Sequence, residues 1–174
     1  MKSLLLACCL FLTMFAGPMR AQAAPADAAL ARAVNAFVDG WHDDAAHARM
    51  RYFDKMAPDA IFIGTDRSEL WRRDAFLAWG RKYFEGRSKA WEYHATRRKV
   101  YASNDGKTVW FDELLDNDKG AHFMASGVLV RTADGFLVEH YQLSVAVPNE
   151  VEPQVIDLAR AAEAKGASKV DAGH

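Results

Sequence analysis

The chain has 174 residues, a formal net charge of −1, 51% hydrophobic residues and 26% charged residues. That length suits one domain with a short appendage, and the composition excludes a disordered, collagenous or repeat-array chain. The near-neutral balance offers no strongly basic face, so nucleic acid is not an expected partner.

Met1-Lys2-Ser3 is a short positive start, Leu4 to Gly17 is an almost unbroken apolar run, and Ala21-Gln22-Ala23 supplies a pattern of small residues. This layout predicts a secretory signal peptide over residues 1–23. The run falls short of the roughly 20 apolar residues a spanning helix needs, so no stable membrane anchor is expected after cleavage. A lipid-attachment reading of Leu5-Leu6-Ala7-Cys8 competes, but the apolar run continues past the cysteine and a better cleavage site follows. Cleavage would remove Lys2 and Arg20 and no acid, moving the net charge from −1 to −3. Cys8 and Cys9 would leave too. The exported domain, periplasmic or secreted, would then have no disulfide, no thiol chemistry and no Cys-based metal site.

Asp27 to about Ala46 reads as a helix, with Leu30, Val34, Phe37, Val38 and Trp41 forming an amphipathic stripe behind an Asp27 N-cap. A second helical segment follows from about Ala46 to Met56 and ends at Ala57-Pro58-Asp59. Residues 60–66 read as a short buried strand, and Arg67 to Leu70 as a turn or short edge piece. Asp74 opens a third helix that runs to about Phe84 and closes at Gly86.

From Trp91 the period changes to two. Strands are predicted over 91–102, 107–115, 121–131 and 136–147. Asn104-Asp105-Gly106, Asn117-Asp118-Lys119-Gly120 and Ala133-Asp134-Gly135 connect them as hairpin turns, giving an antiparallel meander. Val155 to Ala164 can form a short C-terminal helix, and the chain from Gly166 looks frayed. The expected organisation is a signal over 1–23, one domain over 24–150, and a C-terminal helix and tail over 151–174.

Strict alternation in the last strand groups Phe136, Val138, His140, Gln142 and Ser144 on one face. Leu137, Tyr141, Leu143, Val145 and Val147 share the other, with Glu139 as the exception. The first face turns polar along its length, which suits a helix-covered, partly hydrated pocket. The second is apolar, which suits cover by a second subunit. Hairpin counting leaves two registers open for the second strand. One puts Trp110 and Asp112 inside. A one-residue bulge puts Phe111 and Glu113 inside instead. Arg97 and Lys99 would then stand beside Asp112, or Arg98 beside Glu113.

Helices followed by a long antiparallel meander resemble the cone-shaped fold of the nuclear transport factor 2-like superfamily. Within it the chain resembles the SnoaL-like group. The resemblance is carried by Ile63-Gly64-Thr65-Asp66-Arg67-Ser68-Glu69-Leu70-Trp71, Asp105 through Glu113, Ser126-Gly127-Val128-Leu129-Val130 and His140-Tyr141-Gln142-Leu143-Ser144. It implies an α+β domain, with N-terminal helices packed on a strongly curved antiparallel sheet around a pocket. Activity does not follow from it, because the superfamily spans isomerases, dehydratases, cyclases and non-catalytic binding or assembly domains. In its steroid isomerases an aspartate base ends the first strand after the helices. The matching position here is Gly64, and Asp66 lies two residues on.

Asp66 and His140 are the acid–base candidates for such a pocket. Competing readings make Asp66 a turn cap and His140 a histidine bonded to a neighbouring strand. Trp41, Trp71, Trp79, Trp91 and Trp110, with Tyr52 and Tyr93, are the aromatic candidates for a ligand wall, Trp71 and Trp110 foremost, with Arg97 and Gln142 as polar ones; aromatics at these periods also build cores. Asp112 and Glu113 point to opposite faces, so one is expected in the pocket and the other in a salt bridge with the Arg97-Arg98-Lys99 run. No metal and no cofactor are expected. His42 and His47 are five apart, and no H-E-x-x-H, G-x-S-x-G or phosphate-binding glycine loop occurs. The expected function is binding of a small, largely apolar molecule by a homodimer paired through its outer sheet face. A cofactor-independent proton-transfer enzyme and a dimeric assembly module are the alternatives.

Overall fold

The computed structural model describes residues 24–171, with side chains over 26–165. The expected signal peptide over 1–23 lies outside the described residues. In chain order the elements are β1 (Ala24–Pro25), α1 (Ala28–Ala46), α2 (Arg51–Asp54), β2 (Met56–Ile63), β3 (Leu70–Arg72) and α3 (Arg73–Phe84). They continue with β4 (His94–Ala102), β5 (Thr108–Asp116), β6 (His122–Thr132), β7 (Gly135–Val145), a 3-10 turn (Asn149–Val151) and α4 (Glu152–Asp171).

The seven strands form one sheet in the order β1-β4-β5-β6-β7-β2-β3. β4 to β7 are the expected antiparallel meander. Gly106 and Gly120 sit in its turns with φ of 67° and 74°, a left-handed conformation that costs glycine nothing. The sheet is mixed, because β2 runs parallel to β7. A parallel neighbour needs a crossover, and the whole segment from β3 through the meander supplies it.

α1 lies across the concave face. The Leu30 N–H donates to Asp27 Oδ1 at 2.8 Å, so the predicted N-cap forms. Leu30, Val34, Val38, Trp41 and Ala45 are buried, as the helical stripe requires. Each large side chain withdrawn from water stabilises the fold by roughly 1.5–3 kcal/mol. The predicted second helix shrinks to one turn. There the buried Asp44 carboxylate is held by Arg51 Nε at 2.6 Å and Lys55 Nζ at 2.7 Å, with Arg49 alongside. These cations tie the end of α1 to α2 and the start of β2.

The faces of β7 differ from strict alternation. A bulge at Glu139 opposes Val138 to Leu129 and His140 to Val128, skipping one residue. A bulge moves every later side chain to the opposite face. Phe136 and Val138 therefore share the inner face with Tyr141 and Leu143, while His140, Gln142 and Ser144 turn outward. Leu143 is 6% exposed and faces the helices, so the Leu143 face is not the outer one.

The same register settles β5. Phe111 and Glu113 are buried inside, whereas Trp110 and Asp112 alternate outward. Gly127 lies opposite both Phe111 and Tyr141, where a Cβ would stand 2.6 Å from Phe111 Cζ. It lets those two rings close over the strand.

α4 runs further than the predicted 155–164. Its described side chains are exposed, Leu158 at 71%. No helix among the described residues is long and apolar enough to cross a membrane.

Candidate functional site

The concave face carries a buried polar cluster drawn from four elements. The Glu113 carboxylate on β5 is 2% exposed and His42 on α1 is 7% exposed. Glu113 Oε1 accepts from His42 Nε2 at 3.0 Å and from the Tyr141 hydroxyl at 2.9 Å. Glu113 Oε2 accepts from Arg98 Nε at 2.8 Å. Arg98 then reaches back to α1, where its Nη1 donates to Asp39 Oδ1 at 2.8 Å and Asn35 Oδ1 at 3.2 Å.

Burial would push the Glu113 carboxyl up. The hydrogen bond from His42 and the charges of His42 and Arg98 overcome it, and the carboxyl is held below the ordinary 4.5. Burial pushes the Tyr141 hydroxyl well up, and the Glu113 charge adds to this. An ionised carboxylate only accepts, so His42 Nε2 carries the proton it donates. His42 Nδ1 has no hydrogen-bond partner among the described residues, which leaves it free to accept from a ligand or take a proton.

Next to this cluster lies a cavity of about 160 Å³. Tyr52, Phe62, Phe76 and Tyr141 are its buried wall, while Trp71, Trp79, Trp91 and Tyr93 are half-buried around it. The rings brace one another: Phe62 stacks on Phe76 at 4.1 Å, and Trp71 on Trp79 at 5.6 Å. Polar groups enter at two places, His42 on one side and Thr65 and Glu69 on the other. His42 also borders a more polar hollow of about 300 Å³, with Asp39, Asp43, His47, Glu92 and His94.

Glu69 reaches the cavity because Gly64 has no side chain. A Cβ on Gly64 would stand 2.1 Å from Glu69 Oε2. The β2–β3 turn closes through Gly64 N–H to Glu69 O at 2.8 Å and folds the carboxylate back over the strand end. Burial raises the Tyr93 hydroxyl, and the Glu69 charge beside it raises it further.

Among the residues predicted from sequence, Tyr52, Trp71, Trp79, Trp91 and Tyr93 line the cavity and Glu113 lies beneath it, whereas Trp41 is buried in the core. Asp66 is exposed in the β2–β3 turn and accepts from the Ser68 backbone N–H at 2.8 Å. The Ser68 hydroxyl and that N–H hold its carboxyl below the ordinary 3.8. Asp66 caps the turn and does not line the cavity. His140 and Gln142 are on the outer face for the reason given by the Glu139 bulge. Arg97, Trp110 and Asp112 are also outside: Trp110 stacks on Tyr101 at 5.9 Å, and Asp112 pairs with Lys99 in the ladder.

His42, Glu69 and Tyr141 were not singled out from sequence as site residues. His42 carried a signal, since it stands four residues after Val38 and three before Ala45 on the buried stripe. Glu69 carried none, because its placement depends on space at Gly64. Among the described residues, no group of His, Cys, Asp or Glu is arranged to hold a metal ion.

The SnoaL-like domain profile matches residues 34–148, more than half of the chain. No curated protein matches by sequence. Among solved structures, an NTF2-like protein of unknown function from Pseudomonas putida KT2440 is similar with a TM-score of 0.59 and 12% identity; the match covers 74% of this chain and 94% of that one. A cystatin-like fold protein from Burkholderia xenovorans LB400 gives 0.57 and 14%, covering 73% and 100%. A protein from Catenulispora acidiphila, solved in complex with S-DNPA, gives 0.54 and 20%, covering 68% and 94%. At these identities the likeness establishes the fold alone. With the profile spanning both helical and meander segments, the chain, which shares the fold of the NTF2-like neighbour, belongs to the SnoaL-like domain family.

Proposed function

We propose that this protein binds a small, largely apolar molecule in the aromatic cavity. One observation carries the reading: a cavity of about 160 Å³ is walled mainly by aromatic rings yet has, at its side, a histidine whose Nδ1 has no hydrogen-bond partner among the described residues. Such a mixture of apolar wall and few polar groups is what a small-molecule site needs. The volume suits a molecule of one or two rings, since a cavity of roughly 150 Å³ takes up benzene. The Catenulispora protein solved with S-DNPA supports ligand binding by this fold.

The test is thermal unfolding against a panel of one- and two-ring compounds, with tryptophan fluorescence read in parallel. A binder raises the melting temperature by mass action and changes emission from Trp71, Trp79 or Trp91. Absence of both effects across the panel overturns the reading.

A second reading, cofactor-independent proton transfer, is favoured by the Glu113–His42 pair. An ionised carboxylate behind an imidazole stabilises its protonated form and fixes which nitrogen faces a substrate. In this reading His42 is the base, and Asp66 and His140 are not needed. Turnover surviving intact in His42→Gln would remove it.

We propose as well that the domain is exported and pairs with a second copy. The signal-like layout supports cleavage before Ala24 and a periplasmic or secreted domain. Exposed Leu70 and Met124 on the outer sheet face support a homodimer.

A further inference from the structure

We infer that the ligand of this cavity is a small organic cation, an aryl or alkyl ammonium, with its charge held by the ring faces and the Glu69 carboxylate. This rests on the proposal that the cavity is a ligand site and names the chemical class it selects.

Three observations carry it. The first is the sign of the lining. Glu69 is the formally acidic residue on the cavity, and among the described residues no lysine or arginine lines it. The buried charge beside the cavity is balanced within its own cluster, which leaves Glu69 as the lining acid with no ion-pair partner among the described residues. Glu113 stands behind His42 and Tyr141, while its counter-ion Arg98 lies on the far oxygen.

The second is the wall itself. Trp71, Trp79, Trp91 and Tyr93 are half-buried rings around one opening, and ring faces carry negative charge that attracts cations. One ring of this wall, Trp79, already meets a cation. Lys82 Nζ lies 5.7 Å from the Trp79 ring centroid and 4.9 Å from that of Tyr83, without being one of the lining residues.

The third is that Glu69 is placed rather than merely nearby. The turn bond from Gly64 N–H to Glu69 O and the missing Cβ at Gly64 hold the carboxylate against the end of β2. Only one of its oxygens has a protein donor, the Asp66 N–H at 3.3 Å. The other oxygen has no hydrogen-bond donor among the described residues. A carboxylate so positioned, next to aromatic faces, suits an ammonium group and repels a carboxylate or phosphate.

The experiment titrates the purified protein with phenyltrimethylammonium, its neutral carbon isostere tert-butylbenzene, and benzoate, reading tryptophan fluorescence and calorimetry. The expected order places phenyltrimethylammonium about tenfold or more ahead of tert-butylbenzene, with benzoate weakest. Glu69→Gln, which keeps shape and removes charge, should erase most of the cation's advantage and leave tert-butylbenzene unchanged. Equal or tighter binding of tert-butylbenzene overturns the inference and leaves the apolar-ligand reading standing. A preference that survives Glu69→Gln also overturns it, since Glu69 is then not the counter-charge. Binding of none of the three probes overturns this inference; the apolar-ligand reading falls only if the wider panel also fails.

Discussion

Arg98 and Glu113 stand opposite each other in the β4–β5 ladder and meet on the concave side, Nε to Oε2 at 2.8 Å. Both side chains are nearly sealed from water, at 4% and 0% exposure. Removing one member of a buried pair leaves the other uncompensated, which costs about 3–5 kcal/mol. Asp39 still pairs with Arg98 from α1, so the lower end applies. Glu113→Gln should therefore lose about 3 kcal/mol of stability in urea unfolding. A loss below about 1 kcal/mol would mean the pair is wetter than its geometry implies.

The same carboxylate sets an acid limit. Its folded value lies below 4.5, the value for an unperturbed glutamate. A group with a depressed folded value contributes stability above its unfolded value and loses it as pH falls through the folded one. Asp44 has the same sign relative to 3.8: burial would raise it, but Lys55, Arg51 and Arg49 outweigh that. The melting temperature should stay level for these two groups above about pH 5 and fall progressively below it. Glu113→Gln should flatten part of that acid slope, a difference that a pH series of thermal melts reads directly.

Gly127 predicts a packing limit. A Cβ there would lie 2.6 Å and 2.7 Å from two Phe111 ring atoms and 3.2 Å from Tyr141 Cδ2. Both rings are buried, so neither swings away freely. Gly127→Ala should cost about 1–3 kcal/mol through overpacking, despite alanine's better fit to a strand. It should also disturb the Tyr141 hydroxyl's bond to Glu113, visible as a shift in the His42 ring signals by NMR. An unchanged stability would show that the rings yield.

Much of the fold was legible because its signals are local. Glycine-bearing turns punctuate the meander, and the period changes from helical to alternating near Trp91. β2's place beside β7 was not legible, since parallel pairing leaves no turn to read. The β7 bulge was half-legible. Glu139 was the polar exception on an otherwise apolar face, and that exception is where the register shifts. Because one slipped residue inverts a strand, His140 and Gln142 moved from the expected pocket to the outside while Leu143 moved in. The Glu113 alternative with Arg98 beside it needed only the hairpin register to decide. Glu69 required three-dimensional information, because no periodicity marks a turn residue that folds back over a glycine.

That inversion changes where pairing between two copies should be tested. Leu143 lines the cavity, so Leu143→Asp should unfold or weaken the domain, and a lost dimer in that variant says nothing about an interface. Met124 is 55% exposed on the outer face, next to Ser144 and Leu114 in the ladder. Met124→Asp therefore changes the outer surface at little cost to the monomer, within about 0.5 kcal/mol. If two copies pair through this face, the introduced carboxylates enter an apolar contact, and desolvation opposes association. Sedimentation should show a dimer for the unaltered protein and a folded monomer for Met124→Asp, with its melting profile retained. A Met124→Asp dimer of unchanged affinity would exclude the Met124 region from pairing.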